Sequence, residues 1–397
     1  MGQSILESWA GLPRIVRIVI ILAVILATPF LARALERVTN FGLLTQVNRA
    51  LIFVVLALGL NIVVGFAGLL DLGYAAFFAI GGYAFGLLTW PNHHIEAPFF
   101  LAIWICAAVA SIFGIIIGAP TLRLRGDYLA IVTLAFGEII PVVVRNLDEI
   151  TIRIGSWTLI EEFNLTNGSQ GLNPLGKPDF GLIERIFGLE AGQLAVRIDP
   201  TFWYFAIVIM VVLVLFSSQR LENSRLGRAW KAIREDETAA DFMGVDPIGT
   251  KLLAFAIGAS FSGLAGVVSA SMLGAIFPDQ FKFQVSIFLL IIVVLSGLGS
   301  IYGVLLGGLL ITLFDGVLLA QVLPPMFPNI DVEQLRWVFF GAGLILIMLF
   351  RPQGLFPVGL GKRAPIVAAT SLEPSPSVSP EHHIAAPDPG TQVKGVE

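Results

Sequence analysis

The feature that most limits what this chain can become is the length of its uncharged runs. Several reach about 20 apolar residues with few or no charges, enough for a helix to cross roughly 30 Å of hydrocarbon. Charged residues are 13% of the 397, against about 25% in a soluble domain, so a water-facing surface could not be covered. Many of the 41 glycines sit inside these runs, as is common in membrane helices. The expected fold is an all-α polytopic membrane protein. A net charge of −4 gives no reason to expect a nucleic-acid partner.

Ten membrane segments are expected, at 14–34, 44–66, 71–90, 97–119, 128–147, 201–217, 251–274, 284–300, 301–320 and 335–350. Lys and Arg in the short loops set their direction. With the N-terminus in the cytoplasm, the inside loops hold Arg14, Arg17, Arg123, Arg125, Arg220, Arg225, Arg228, Lys231, Arg234, Lys251, Arg351, Lys362 and Arg363. The outside loops hold Arg37, Arg49, Lys282 and Arg336. Both termini are then cytoplasmic. Ala32-Arg33-Ala34 resembles a leader cleavage site. A retained first helix is preferred, because an arginine inside such a site is unusual.

The organisation that follows is a first span within 1–43, spans two to five over 44–148, an external loop at 149–200, a sixth span at 201–217, a charged cytoplasmic loop at 218–250, spans seven to ten over 251–352, and a cytoplasmic tail at 353–397. The tail is Pro-rich from about 365 and cannot bury a core, so disorder is expected there. Stretches 51–88 and 287–320 share a pattern of apolar run, Gly-rich break and small-residue helix, which fits either composition or common ancestry.

The cytoplasmic loop is the sharpest feature. Residues Arg228–Met243 hold no Gly or Pro and suit one helix, with Trp230, Ile233 and Phe242 offering apolar contacts. Arg234, Glu235, Asp236 and Glu237 stand beside Ala239 and Ala240, Gly244 can end the helix, and Pro247 forbids its return. A short amphipathic helix held outside the membrane between two spans can dock in a groove on a soluble partner. The plain alternative is a solvated connector.

Glu237-Thr-Ala-Ala-Asp-Phe-Met-Gly244 resembles the Glu-Ala-Ala-x3-Gly coupling pattern of ABC-importer permeases, with Thr238 inserted. More specifically, the chain resembles the longer permease subunit of the Liv-type (branched-chain amino acid) importers. The matching segments are Gly59–Gly73, Leu122–Glu138, Leu165–Gly171, Leu226–Glu237 and Phe350–Leu355, spread over residues 45–360; residues 361–397 carry no resemblance. The resemblance implies a pseudo-dimer with a second, shorter permease, two cytoplasmic ATPase subunits that hold the ATP and Mg, and a periplasmic solute-binding protein, in a bacterial inner membrane. The chain itself then holds no cofactor and does no covalent chemistry. Arg228, Trp230, Arg234, Glu235, Asp236, Glu237, Ala239, Ala240 and Gly244 would couple to the ATPases. The substrate would be a branched-chain or related neutral amino acid, with another small polar solute such as urea as the alternative within the family. A gradient-driven secondary transporter would need buried charge relays, and a membrane enzyme a cluster of His, Asp or Ser; few such residues are present.

A charge at mid-membrane costs about 2.5–3.5 kcal/mol on insertion scales, so intramembrane polar residues are candidates for the pathway. Glu138, beside Gly137 and before Pro141, is foremost. Asp71 lies in the Gly-rich break with Gly65, Gly68 and Gly73 and is placed to cap a helix starting near Gly73. Asn61, Thr133 and the break at Gly297 and Gly299 complete the set. Half-helix ends at such breaks suit the two charges of an amino acid. For Gly82/Gly86, Gly114/Gly118, Gly258/Ser262/Gly266 and Gly303/Gly307, close helix packing is the better reading. Asp315 is expected to reach lipid headgroups.

Other signals carry little. Gly171–Pro178 mimics a phosphate-binding loop but has Pro178 where a hydroxyl is needed. His93-His94 and His382-His383 lack further ligands. Cys106 reads as a small buried hydrophobe. Asn164-Leu-Thr and Asn167-Gly-Ser read as turns.

Overall fold

The computed structural model describes residues 13–39, 41–93, 98–122, 124, 127–148, 150–154, 157–176, 199–326, 332–351 and 353–356. The tail beyond 356, residues 177–198, His94, Arg123 and Arg125 lie outside them, as do the expectations placed there.

Most of the chain is helix. In order, the elements are α1 (Arg14–Thr39), α2 (Leu43–Leu60) running into a π-helical turn (Asn61–Phe66), α3 (Ala75–Thr89), α4 (Phe99–Thr121), α5 (Asp127–Arg145), the strands β1 (Ile150–Ile154) and β2 (Trp157–Phe163), α6 (Pro200–Glu222), α7 (Arg225–Glu235), α8 (Glu237–Phe242), α9 (Pro247–Leu273), α10 (Phe283–Ser296), α11 (Ile301–Leu313) extended by a second π-helical stretch (Phe314–Val322), and α12 (Val332–Phe350). Among the described residues seven helices are long and apolar enough to cross a membrane, while Ala75–Thr89 and Gln334–Phe350 are shorter apolar helices. The expected third segment, 71–90, starts late, at Ala75, and the expected sixth, 201–217, extends to Glu222. The loop after α5 carries an antiparallel hairpin, Ile150 opposite Phe163 and Ile154 opposite Trp157, that the all-helical expectation omitted.

Burial sorts the bundle. The span Leu43–Phe66 is 94% buried in its apolar window and α9 is 72% buried, whereas α4, α5 and α6 are each 33% buried. The first two form the centre, and the others keep an open face. Small residues let the central helices close. A Cβ on Gly81 of α3 would lie 2.3 Å from Cα of Gly263 in α9, and a Cβ on Gly263 would lie 2.6 Å from Cβ of Ala110 in α4. Backbones can approach this closely only without side chains between them. Gly258, Gly266 and Gly114 are filled against neighbouring helices in the same way.

Gly263→Val therefore wedges α9 away from α4. Overpacking costs about 1–3 kcal/mol in an ordinary core, and more where the obstacle is backbone. Little monodisperse protein is expected in detergent. Gly341→Val in α12, where a Cβ meets nothing within 4 Å, should behave as wild type by size exclusion.

Asp315 does not reach headgroups. It is buried (1% exposed), with Nη2 of Arg336 donating to its Oδ2 and Nε of Arg336 against its Oδ1. Arg336 also lies over the Phe288 and Trp337 rings, and Arg49 over Phe53. Arg49 and Arg336, expected in loops, are thus part of α2 and α12. A carboxylate inside the bundle needs a paired cation, and the nearest helix supplies it.

Candidate coupling element and unwound membrane segment

The stretch between α6 and α9 forms two short helices, not the single helix expected over Arg228–Met243. Ser224 opens α7, its Oγ accepting from Gly227 N–H at 3.2 Å. The break falls at Asp236, where the backbone is extended (φ −154°, ψ 108°). Asp236 Oδ1 accepts from the N–H groups of Thr238 and Ala239 at 2.9 and 3.0 Å. A short acid satisfies the free donors of a helix start better than it serves inside a longer helix. The inserted Thr238 is one of the two residues it caps. Gly244, at φ +86°, ends α8 as expected. Its N–H bonds Asp241 O at 2.9 Å, and Val245 N–H bonds Ala240 O at 3.0 Å, the paired closure that a left-handed glycine allows.

The element has an inner and an outer side. Trp230 is fully buried and donates from Nε1 to Thr250 O at 2.7 Å, while Ile233 and Ala240 are also buried. Glu237 pairs with Lys251 of α9 at 2.7 Å. Arg234 turns toward the bundle, where Nη1 donates to Gly65 O and its stem packs on Gly68. Arg228, Glu235, Asp236, Ala239 and Gly244 are exposed. So are Phe242 and Met243, at 87% and 84%. Of the apolar residues expected to make contacts, Trp230 and Ile233 therefore hold the element to the bundle, and Phe242 with Met243 points away from it. The last pair was half visible in the sequence, as two apolar residues just before the terminating glycine.

Behind Arg234 the chain is unwound. Residues 67–74 are non-helical, and α3 begins beside Gly258 near the middle of α9, where Tyr74 Oη donates to Gly258 O at 2.7 Å and Ala75 N–H to Ser286 Oγ at 2.9 Å. The 15 residues of α3 span about 22 Å, short of the hydrocarbon thickness, so the unwound stretch makes up the rest. Non-helical backbone at this depth survives only where protein or a cavity surrounds it. Asp71 is buried, and its Oδ1 accepts from Gly73 N–H at 2.9 Å, while Oδ2 accepts no hydrogen bond. Thr133 of α5 accepts from Leu72 N–H at 3.1 Å, and Gly73 leaves no room for a Cβ against Thr133 O. Asp71, Gly73 and Thr133 thus form one junction.

Asn61, Gly65 and Gly299 form another, while Gly297 packs against Gly354 and Phe356 instead. Asn61 Oδ1 accepts from Gly299 N–H at 2.9 Å, and a Cβ on Gly65 would strike both groups. The two Gly-rich breaks of the sequence therefore meet face to face. The chain after α12 folds over the end of α10, with Leu355 N–H on Leu295 O at 2.8 Å and Phe356 N–H on Ser296 O at 2.9 Å. Gly299 N–H and the carbonyls of Leu295 and Ser296 thus find partners within the chain. Glu138 stands apart from both junctions, exposed on the open face of α5 with Tyr128, Ile131 and Val142.

The inner side of the element borders a half-open cavity of about 320 Å³, lined by Ala67–Leu70, the start of α5 and the Arg234–Thr238 turn with Lys251. Lys251 is a residue that motif reasoning did not single out.

Residues 42–348 match the family described as branched-chain amino acid transport system / permease component. The high-affinity branched-chain amino acid transport system permease protein LivM of Escherichia coli K12 is 36% identical over 358 residues, 86% of this chain and 74% of its own. LivM of Salmonella typhimurium is 36% identical over 355 residues, covering 85% and 74% of the two chains. The permease protein LivH of Salmonella typhimurium is 27% identical over 316 residues, covering 76% and 90%. No solved structure gives a significant match.

Proposed function

The chain belongs to the branched-chain amino acid transport permease family, and on that premise we propose that it is a membrane-spanning subunit of an ATP-driven importer for leucine, isoleucine, valine or related neutral amino acids. One observation carries the coupling role: Phe242 and Met243 stand almost fully exposed on a polar two-helix element whose other large side chains at its centre, Trp230 and Ile233, are buried. Apolar side chains held out on a polar element mark a protein contact. The occupant is a cytoplasmic ATPase subunit, which carries the ATP and Mg.

The end of the bundle bearing α7 and α8 then faces the cytoplasm, in keeping with the Lys and Arg of that loop. The end bearing the hairpin faces outward and receives the solute-binding protein. A second, related permease completes the membrane unit; Escherichia coli K12 has both a LivM and a LivH under the same transport-system name. Glu138 indicates the face that meets it. A carboxylate exposed to lipid at mid-helix costs about 2.5–3.5 kcal/mol, so the Tyr128–Val142 stripe of α5 faces the second permease and the pathway between them.

The test is uptake into proteoliposomes holding ATP, with both permeases, the ATPases and an external binding protein. Leucine uptake that needs all four components supports the assignment. Uptake that continues without ATP under an ion gradient refutes it. In the same assay Glu138→Leu is expected to slow uptake at least about tenfold, as losing one placed polar contact does, and Glu138→Gln less. Full rates with both would remove Glu138 from the pathway.

A further inference from the structure

The cavity beneath the coupling helices touches every part that a transport cycle must move. Ala67–Leu70 belong to the unwound segment, Leu129 to α5, Arg234 and Glu237 to the coupling element, and Lys251 to the start of α9. Leu69, Leu70, Leu129 and Ile233 give it apolar lining, and Arg234 with the Glu237–Lys251 pair gives it charge. A volume of about 320 Å³ with an apolar wall and a few placed polar groups is of the kind that binds small molecules.

The charges select the class of ligand. Arg234 uses Nη1 on Gly65 O, which leaves further N–H donors for a carboxylate. Glu237 meets Lys251 through Oε1, so its second oxygen remains to accept from an ammonium group. A cation, an anion and a leucine-lined wall in one cavity match the three parts of a free neutral amino acid with an aliphatic side chain. A metal ion fits poorly, because two of the three charged groups are cationic. A nucleotide fits poorly, because Glu237 would oppose its phosphates.

We propose that this cavity is a cytosolic site for a free branched-chain amino acid, distinct from the transmembrane pathway, and that its occupancy slows import. The proposal rests on the transport function above. A ligand bridging the coupling helices, the unwound segment and α9 favours the arrangement in which all four walls are present. The imported solute thus restrains its own entry from the inside.

The experiment uses the whole importer in proteoliposomes loaded with ATP and either leucine, lysine or no amino acid, with radiolabelled leucine and binding protein outside. Internal leucine is expected to lower the initial rate at least about fivefold, the low end of coupling between two sites, and internal lysine is expected not to. Leu70→Trp fills the apolar wall and should make the rate insensitive to internal leucine. A diazirine analogue of leucine should label peptides containing residues 67–70 or 233–238, with labelling lost on adding leucine. The labelling decides the matter if Leu70→Trp does not assemble.

Uptake that is unaffected by internal leucine, or labelling confined to other segments, overturns the proposal and leaves the transport assignment standing. A Leu70→Trp importer as sensitive as wild type overturns it too. An importer that takes up no branched-chain amino acid defeats the assignment, and the proposal with it.

Discussion

Aspartate at both Phe242 and Met243 is expected to abolish ATP-driven uptake while leaving the membrane bundle folded. Both side chains are more than four-fifths exposed, so their loss removes nothing from the chain's own core. Buried on a partner, each would be a contact anchor, and losing an anchor costs at least about 2 kcal/mol, or roughly 30-fold in affinity. Two such losses, with charge added, should leave no stable complex with the ATPases. The check is co-purification with the ATPase subunits beside a thermal melt of the bundle. Trp230→Ala gives the contrast. It removes a fully buried ring and its bond to Thr250 O, so it also makes the 224–246 stretch protease-sensitive. A double variant that still co-purifies and transports would place the ATPase contact elsewhere.

The second large effect lies at the other end of the bundle. Arg336→Met strands the Asp315 carboxylate among apolar helices, with Arg49 as the remaining nearby cation. Breaking a buried ion pair from one side costs about 3–5 kcal/mol. Folding in mixed micelles under rising SDS should show a loss of that size. The companion Asp315→Leu/Arg336→Met chain should recover most of it, because replacing both charges by apolar groups is close to neutral. Equal losses in the single and double variants would mean that Arg336 acts through its packing on Phe288 and Trp337 rather than through its charge.

Several features were legible before any coordinates. Apolar run lengths gave the membrane helices, because the hydrocarbon thickness admits few alternatives. Gly114, Gly258 and Gly266 act as packing surfaces, as small-residue spacing implies, whereas the Gly81–Gly263 approach was not read from that spacing. The break at 65–73 is a break. Partnerships across the fold were not legible. Asp236 reads as a helical residue until its side chain is seen capping the next helix. Arg234 reads as one more surface cation, yet its guanidinium reaches Gly65 O, 169 positions away. Asp315 looked lipid-bound because Arg336 follows 21 positions later, on another helix. The hairpin did leave a trace. Ile150, Ile152 and Ile154 alternate before the pair Gly155-Ser156, a period-two signal that the loop's Asn and Pro content obscured.

The account turns on Arg225–Phe242 being a cytoplasmic element covered by the ATPases, and one cysteine can report on both points. The native thiol, Cys106, is fully buried, so Phe242→Cys supplies the reactive site. A membrane-impermeant maleimide should label it in inside-out vesicles and not in right-side-out ones, and assembled ATPase subunits should block the labelling. Labelling from the outer face, or labelling that the ATPases leave unchanged, would contradict the account.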